Sequence, residues 1–529
     1  MLPLVTALLA FLAPPSLAPL FRPPLRATPV SVSLVASSPA RSTSDVGVQK
    51  STHERDVAQR PHLEVTIAGG GIGGLCAALV LQNEGYRVRV FEKTVAYKPF
   101  GGPIQIASNA LESLKRIDSQ VYEQIVAQST VIGDRINGLK DGVSNEWFAT
   151  FDLMSPAKKR NQGVSIVIDR PVLQEILLSR VGACVTKGAE VVNSFASEAA
   201  GDRVVSELSD GTRVESDLVI GADGIWSKTR QVLDPNPDSV PIWSGYTCFA
   251  AISRCVPSDI DTVGYKVFLG KRKYFVSVDV GGGRVQWYAF LNLPPKSVAL
   301  EPGSELQWLK DNHFSDWSEE VHQLLDNTPQ LEVEQRDLYD RIPQLKWTQG
   351  RVCLLGDAAH PMMPNLGQGG GMAIEDALVL GQELRRIDDK SAVPLALKRY
   401  AQNRILRAAS VQGMSRVSST FLFQYSPPTT LEMSDGFPRL RNYGPRSLIT
   451  RACQGFLQRV AFPLQFEYLF SFPGSIDPQV FAAPAPGDFT TEGGGVLSPQ
   501  RESPRSRGEA EKKLLDGTTP LNEWFSKYW

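Results

Sequence analysis

The run HLEVTIAGGGIGGLCAALVLQNEGYRVRVFE, residues His62–Glu92, decides how the rest of the 529-residue chain is read. Leu63–Ala68 is a short apolar stretch with β-branched residues and predicts a strand. It runs straight into Gly69-Gly70-Gly71-Ile72-Gly73-Gly74, after which Leu75, Ala78, Leu79, Leu81 and Gln82 follow at helical spacing. Gly85 predicts the helix stop, and Arg87–Phe91 a second strand that closes on Glu92. This is G-x-G-x-x-G between a strand and a helix, the context in which the pattern signals a dinucleotide. Gly69 allows the tight turn, Gly71 lets the backbone approach a pyrophosphate, and Gly74 lets helix and strand pack closely. N–H groups at the helix start then face the phosphate charge. Glu92 stands where an acid takes ribose hydroxyls. A glycine-rich turn without a ligand is the competing reading. The second strand and the acid count against it.

Composition narrows the class. A chain of this length holds two or three domains, and an apolar fraction of 42% supports a sizeable core. A formal charge of −1 argues against a nucleic-acid partner. The six cysteines include no C-x-x-C, and no H-E-x-x-H occurs, so neither a disulfide scaffold nor a zinc site is expected. Cys76 and Cys353 read as small core residues.

Residues 1–60 read as targeting sequence. Leu2–Leu12 is too short for a membrane span and resembles a signal-peptide apolar region, with small residues near Ser16-Leu17-Ala18. No acid precedes Asp45, while Arg22, Arg26 and Arg41 do, in a stretch rich in Ser and Pro that resembles a plastid transit peptide. A plastid location, stromal or thylakoid-associated, is the expectation, and secretion the alternative.

Further along, Asn109 reads as a helix N-cap with Glu112 in a capping-box arrangement, and Leu111, Leu114, Ile117, Val121 and Ile125 form one helix face. Ile136–Leu153 is strand-like, and Arg170-Pro171 opens a further helix. Asp217–Ile220 predicts a buried strand ending in Gly221-Ala222-Asp223-Gly224, with Ser227 and Arg230 beyond; a plain glycine turn is the alternative. Residues 241–294 read as alternating strands, Gly281-Gly282-Gly283 joining a hairpin, and Trp308–Leu325 as a surface helix. Arg351–Leu355 predicts a third buried strand, followed by Gly356-Asp357-Ala358-Ala359-His360. Pro364-Asn365-Leu366-Gly367-Gln368-Gly369-Gly370-Gly371-Met372 then leads into a helix whose start again offers free N–H groups. Glu375 and Asp376 read as first-turn acids suited to the helix dipole, with catalysis the alternative. His360 reads as a residue that turns or caps its loop, with a base role the alternative. Leu395–Val417 predicts a helix. Phe456–Phe472 is aromatic but interrupted, so it is an interfacial segment or an ordinary buried helix. Residues 484–513 have the composition of disorder, and Trp524–Trp529 reads as a tail packing on the body.

Three motifs occur in order: Gly69-x-Gly71-x-x-Gly74 with Glu92; Gly221-Ala222-Asp223-Gly224-x-x-Ser227-x-x-Arg230; and Gly356-Asp357-x-x-His360-x-x-x-Pro364-x-x-Gly367-Gln368-Gly369. Together they resemble the single-component flavoprotein monooxygenases of the para-hydroxybenzoate hydroxylase type, over about residues 62–425. The runs Gly101–Leu111, Lys273–Ser277, Asp279–Gly283, Gln286–Phe290, Asp337–Arg341 and Pro364–Gly370 are similar to the carotenoid-epoxidising branch of that family. Gly371 departs from the Cys usual in the plant members, and no pattern for their terminal forkhead-associated domain is present.

The resemblance implies an α/β fold: a Rossmann-like FAD-binding domain with an inserted, largely antiparallel β-sheet substrate domain and a C-terminal helical segment. Residues 61–135, 166–238 and 349–425 would form the FAD-binding domain, and 136–165 and 239–348 the substrate domain. A helical segment over 426–480 and a disordered tail over 481–529 would follow. Glu92 would hold the adenosine ribose, Arg170 the ribityl–pyrophosphate, Asp223 the pyrophosphate region and the pyridine nucleotide, and Asp357 the ribityl hydroxyls. The Gly367–Met372 backbone, with Pro364, Gln368, Gly369, Gly370 and Gly371, would face the flavin pyrimidine edge. FAD is the implied cofactor, with NADPH or a reduced electron-transfer protein as reductant. The implied reaction epoxidises β-ring double bonds of a carotenoid through a flavin C4a-hydroperoxide, with no acid–base pair. An aromatic hydroxylase of the same fold, or a flavin-binding protein without turnover, are the alternatives. Peripheral membrane contact is expected through Phe456–Phe472.

Overall fold

The computed structural model describes residues 61–97, 102–197, 202–236, 239–425, 430–434, 437–441 and 454–474. The readings of residues 1–60, 484–513 and 524–529 lie outside the described residues.

The apolar runs read as buried strands form one sheet. Its order is Thr348–Gln349, Val352–Leu354, Leu218–Gly221, Glu64–Ala68, Arg87–Glu92, Val185–Lys187, all parallel except the Thr348–Gln349 edge. Val65, Ile67, Leu218, Val219, Ile220, Cys353 and Leu354 are fully buried, because helices cover both faces of such a sheet. The helices Ile72–Asn83 and Gly369–Arg385 pack on it, Gly381 meeting Val80 where a Cβ would lie 2.5 Å from Cγ2. The register places Ala68 beside Gly221, and Gly221 beside Leu354. The three glycine loops therefore leave the sheet side by side at its carboxyl edge, where open α/β sheets bind ligands.

A second, seven-stranded sheet has the order Glu334–Asp340, Ile242–Ser253, Val285–Leu291, Lys273–Asp279, Val263–Gly270, Ile136–Asp141, Trp147–Phe151. It is antiparallel apart from the pairing of Val263–Gly270 with Ile136–Asp141. Alternation along each strand separates two faces. Phe249, Phe268, Phe275, Trp287 and Leu291 pack on one side against Leu306, Leu309, Phe314, Trp317, Val321, Leu324 and Leu325. Tyr246, Cys248, Tyr274, Val276 and Phe290 look the other way, toward Met363 and the end of the long helix Val393–Gln424.

Some local expectations change. Residues 108–127 are two helices, Ser108–Ile117 and Ser119–Ala127, because Asp118 turns extended and caps the second by accepting from Gln120 N (2.9 Å) and Val121 N (3.0 Å). Ala107, not Asn109, is the N-cap of the first. The surface helix expected over 308–325 is broken by a π-turn, Lys310–Phe314, that drives Phe314 and Trp317 into the sheet.

Candidate active site

At the first loop each fingerprint glycine has its own reason. Gly69 has φ +102°, and a Cβ there would lie 2.4 Å from the Ala222 carbonyl oxygen. At Gly74 a Cβ would lie 2.0 Å from Gly69 O. Gly73 faces Leu355 and Ala373, so it brings the first helix against the third motif. Gly71 is different: a Cβ there would meet nothing within 4 Å, and it begins the helix Ile72–Asn83 with no side-chain cap. Glu92 is buried and fixed by two backbone donors, Gly70 N (2.6 Å) and Thr94 N (2.8 Å). Tyr97 donates to Gly70 O (3.0 Å).

The second motif is a bracket. Asp223 accepts from Ser227 Oγ (2.5 Å), Thr229 N (3.0 Å) and Thr229 Oγ1 (3.0 Å). Burial pushes its pKa up, against those bonds. Both its oxygens are thus committed to the turn that starts the helix Lys228–Leu233. Arg230, buried, reaches across to Ala358 O (2.8 Å) and Ala359 O (3.2 Å) and ties this loop to the third. Burial and the nearby Arg341 bring its pKa down to about 10.

In the third motif Asp357 lies exposed in the groove between the loops, yet the protein packed around it raises its carboxyl pKa by desolvation against the pull of His360 and Arg170. No hydrogen-bond partner holds its carboxylate among the described residues. A Cβ on Gly369 would lie 4.0 Å from Asp357 Oδ1. Arg170 is exposed at the start of the helix Arg170–Val181, and its charge reaches both Asp357 and Tyr288. Pro364–Leu366 makes a tight turn into Gly367, φ +62°, and the helix Gly369–Arg385 begins without a side-chain cap. Gly367 and Gly370 lie against Gln105 and Ile104. Gly371 packs on Ala110, with a would-be Cβ–Cβ distance of 3.2 Å. Gln368 is buried and accepts from Asn109 Nδ2 (3.0 Å). Met372 turns into the core, its N–H bonded to Gln368 O (2.8 Å). The groups left to face a ligand are therefore those at the helix start, not Met372.

Glu375 and Asp376 lie beyond the first turn, fully buried, so the helix dipole is not their partner. Arg404 is buried between them, Nη1 2.8 Å from Glu375 and Nε 2.7 Å from Asp376. Arg407 forks onto Glu375 (2.6 and 2.7 Å), which also accepts from Asn109 (2.7 Å). Asp376 Oδ2 takes Gly356 N (3.0 Å) and lies 2.5 Å from His360 Nε2. Burial alone would raise the Asp376 pKa, but His360 and Arg404 outweigh it and bring it to about 2. His360 is fully buried, away from the groove, and anchors its loop through Asp376. The Phe472 ring closes the cluster, 4.9 Å from each of the Arg404 and Arg407 guanidinium groups. The sequence signal for this was the Arg404/Arg407 pair, one helical turn apart on the next helix.

Beside the third loop lies an aromatic wall. Tyr274 stacks on Phe290 (4.4 Å), Phe423 on Tyr246 (4.1 Å), and Tyr288 reaches Pro103 O (3.3 Å). Among the described residues there is no cluster fit to hold a metal.

The open faces of Gly71 and Gly224, the uncapped helix start, and an unpartnered Asp357 carboxylate fit a dinucleotide lying across the groove: N–H donors for phosphate, an acceptor for hydroxyls. Fold and groove thus define a dinucleotide-binding α/β protein. The chain belongs to the FAD-binding-domain family, whose model matches residues 62–415. It is 45% identical over 380 residues to a protein named zeaxanthin epoxidase, chloroplastic, of an Oncidium hybrid cultivar, covering 70% of this chain and 57% of that one. The enzyme of that name from Spinacia oleracea is 45% identical over 374 residues, covering 69% and 54%. The chain therefore spans little more than half the length of these curated relatives. Among solved structures, Klebsiella pneumoniae HpxO with FAD and uric acid superposes with a TM-score of 0.66 at 23% identity, covering 78% of this chain and 98% of that one. A salicylate hydroxylase substrate complex gives 0.59 at 20%, covering 77% and 98%. These two share the fold.

Proposed function

We propose that the chain is an FAD-dependent monooxygenase that epoxidises β-ring double bonds of xanthophylls in a plastid. The observation that carries this is the aromatic wall of Tyr246, Tyr274 and Phe290, buried, with Tyr288 and Phe423, partly buried, beside the third glycine loop, in a chain so similar to the chloroplastic epoxidases. FAD bound in the groove supplies the redox chemistry: alkene, O2, two electrons and two protons give epoxide and water.

The chain's residues bind and exclude. Gly69, Gly70, Gly71, Gly73 and Gly74 shape the pyrophosphate cradle, and Glu92 meets the ribose. Asp357 takes the ribityl hydroxyls and Arg170 the negative charge alongside. Asp223 supports the pyrophosphate region by holding its loop. Pro364, Gly367, Gln368, Gly369, Gly370, Gly371 and Met372 form and brace the helix start at the flavin ring. The aromatic wall keeps water from the reacting alkene. No side chain needs to move a proton to activate an alkene. Electrons come from NADPH or from a reduced partner protein.

An apolar carotenoid is drawn from a membrane. Phe462 and Phe466 pack inward on Phe151, each at 5.3 Å. Phe456, Val460, Leu464 and Tyr468 are exposed about one turn apart, beside exposed Arg459, while the neighbouring Lys159 pairs with Glu467 at 3.1 Å. That arrangement supports peripheral contact with an anionic bilayer. Among the described residues no helix is long and apolar enough to cross one.

The test is conversion of zeaxanthin or diatoxanthin by reduced, FAD-loaded protein under 18O2. One labelled oxygen per epoxide is expected. Hydroxylation of salicylate with xanthophylls untouched would replace this reading with an aromatic hydroxylase, and flavin reduction without any product would leave a binding protein.

A further inference from the structure

We propose that Tyr246, Tyr274 and Asn365 form a subsite for a hydroxyl group carried on the ring of an otherwise apolar substrate. The proposal rests on the xanthophyll reading and adds the residues that would choose among carotenoids.

Tyr246 on Ile242–Ser253 and Tyr274 on Lys273–Asp279 project from the same face of the seven-stranded sheet, their ring centres 6.2 Å apart. Around them the lining is apolar: Phe290, Phe423, Met363 and Leu422. Into this box comes Asn365, from the turn that leads to Gly367. Its Nδ2 donates to Tyr274 Oη at 3.0 Å. Two polar atoms then remain without a hydrogen bond, Tyr246 Oη and Asn365 Oδ1, although the Tyr246 side chain is fully buried. The Asn365 amide is near enough to act on the Tyr246 phenol as a hydrogen-bonding neighbour, opposing in part the rise that burial imposes, but no well-formed bond joins the two side chains. Buried polar groups are seldom left unsatisfied, and those that are need an explanation.

The two open atoms are complementary. Burial keeps Tyr246 protonated, so its O–H is a donor, whereas Asn365 Oδ1 is an acceptor. An alcohol is the simplest group that satisfies both, its oxygen accepting from Tyr246 and its hydrogen going to Asn365. A hydrocarbon satisfies neither, and a ketone or ether only Tyr246. Asn365 lies two residues before Gly367, so a ring hydroxyl held here fixes which part of that ring faces the third glycine loop. A site built to bond a hydroxyl rejects an analogue lacking it, because its own buried groups are then stranded.

The test uses the full chain loaded with FAD, oxidised, in detergent micelles. Zeaxanthin and β-carotene, which differ only in the ring hydroxyls, are titrated against tryptophan fluorescence. Wild type is expected to prefer zeaxanthin by about tenfold, the scale of one satisfied neutral hydrogen bond. Tyr246→Phe and Asn365→Leu should each bring that ratio toward one, with β-carotene affinity and flavin content unchanged. A ratio unaltered in both variants overturns the subsite and leaves a node that holds a buried water only. Equal weakening of both carotenoids also counts against it, since that is lost packing. The readout needs no turnover. The binding pattern without epoxidation under 18O2 would refute the enzymatic reading alone, and epoxidation with an unaltered ratio would refute the subsite alone.

Discussion

Replacing Gly71 with Val should empty the flavin site and leave the apoprotein folded. The reasoning is geometric. Gly71 has φ −73°, which any residue adopts, and a Cβ there meets nothing within 4 Å. In the ligand-free chain the valine side chain therefore stands in open groove. The fold loses a favourable N-cap residue, worth about 1 kcal/mol, part of which is offset by reduced freedom of the unfolded chain. The cofactor loses more. Backbone N–H bonds to a charged phosphate are worth about 1.5–3 kcal/mol each, and pushing the pyrophosphate away removes two of them. That is about 3–6 kcal/mol, or roughly 10²–10⁴-fold in Kd. Gly74→Ala provides the contrast, because its Cβ would sit 2.0 Å from Gly69 O and must distort the loop whether or not flavin is present. The assay is paired: FAD titration by fluorescence quenching, and thermal melting of the apoprotein. Gly71→Val should lose flavin with a near-normal apo Tm, and Gly74→Ala should lower the apo Tm. A Gly71→Val protein that binds FAD within threefold of wild type would refute the pyrophosphate assignment.

Asp376→Asn should destabilise the fold by about 3 kcal/mol, the low end of the cost of breaking a buried ion pair, because Arg404 keeps Glu375 as a partner but shares it with Arg407. Its carboxyl has a pKa of about 2 in the fold against an ordinary 3.8, so its contribution of about 2 kcal/mol is complete above pH 4 and lost as pH falls from 4 toward 2; denaturant melts across that window should show a shallower acid limb for the variant. Val460→Glu with Leu464→Glu places two charges on the exposed apolar stripe, and flotation with anionic liposomes should fall roughly tenfold while flavin absorbance stays unchanged. Equal flotation of both proteins would reject the membrane contact.

The sheet that carries the glycine loops was legible because its central strands, Glu64–Ala68, Leu218–Gly221 and Val352–Leu354, are short runs buried almost throughout, and each loop is punctuated by glycines whose need is local. Gly69 and Gly367, both at positive φ, are examples. What escaped depends on distant partners. Glu375 and Asp376 look like ordinary early-helix acids until His360, sixteen positions before Asp376, and Arg404, twenty-eight after it, are brought around them. Asp223 carries the family motif, yet nothing in its neighbourhood announced that Ser227 and Thr229 would absorb both its oxygens. The break at Asp118 was hidden by a helical period running through it, the carboxylate capping the second helix rather than exposing a charge in one long one. Strand alternation around Tyr274–Phe290 gave the hairpin, but not which face would meet Asn365, since that is decided by the docking of one sheet against the other.

The third glycine loop joins its sheet late. Leu218–Gly221 pairs on one side with Glu64–Ala68 and on the other with Val352–Leu354, and the seven-stranded sheet is mostly made in between. At a synthesis rate of about 5–20 residues per second, roughly seven to twenty-seven seconds separate Gly221 from its neighbour Leu354 leaving the ribosome. Throughout that interval Leu218, Val219 and Ile220 form an unpaired apolar edge, a template for pairing with another chain. The nascent protein makes its first glycine loop long before the third can stand beside it.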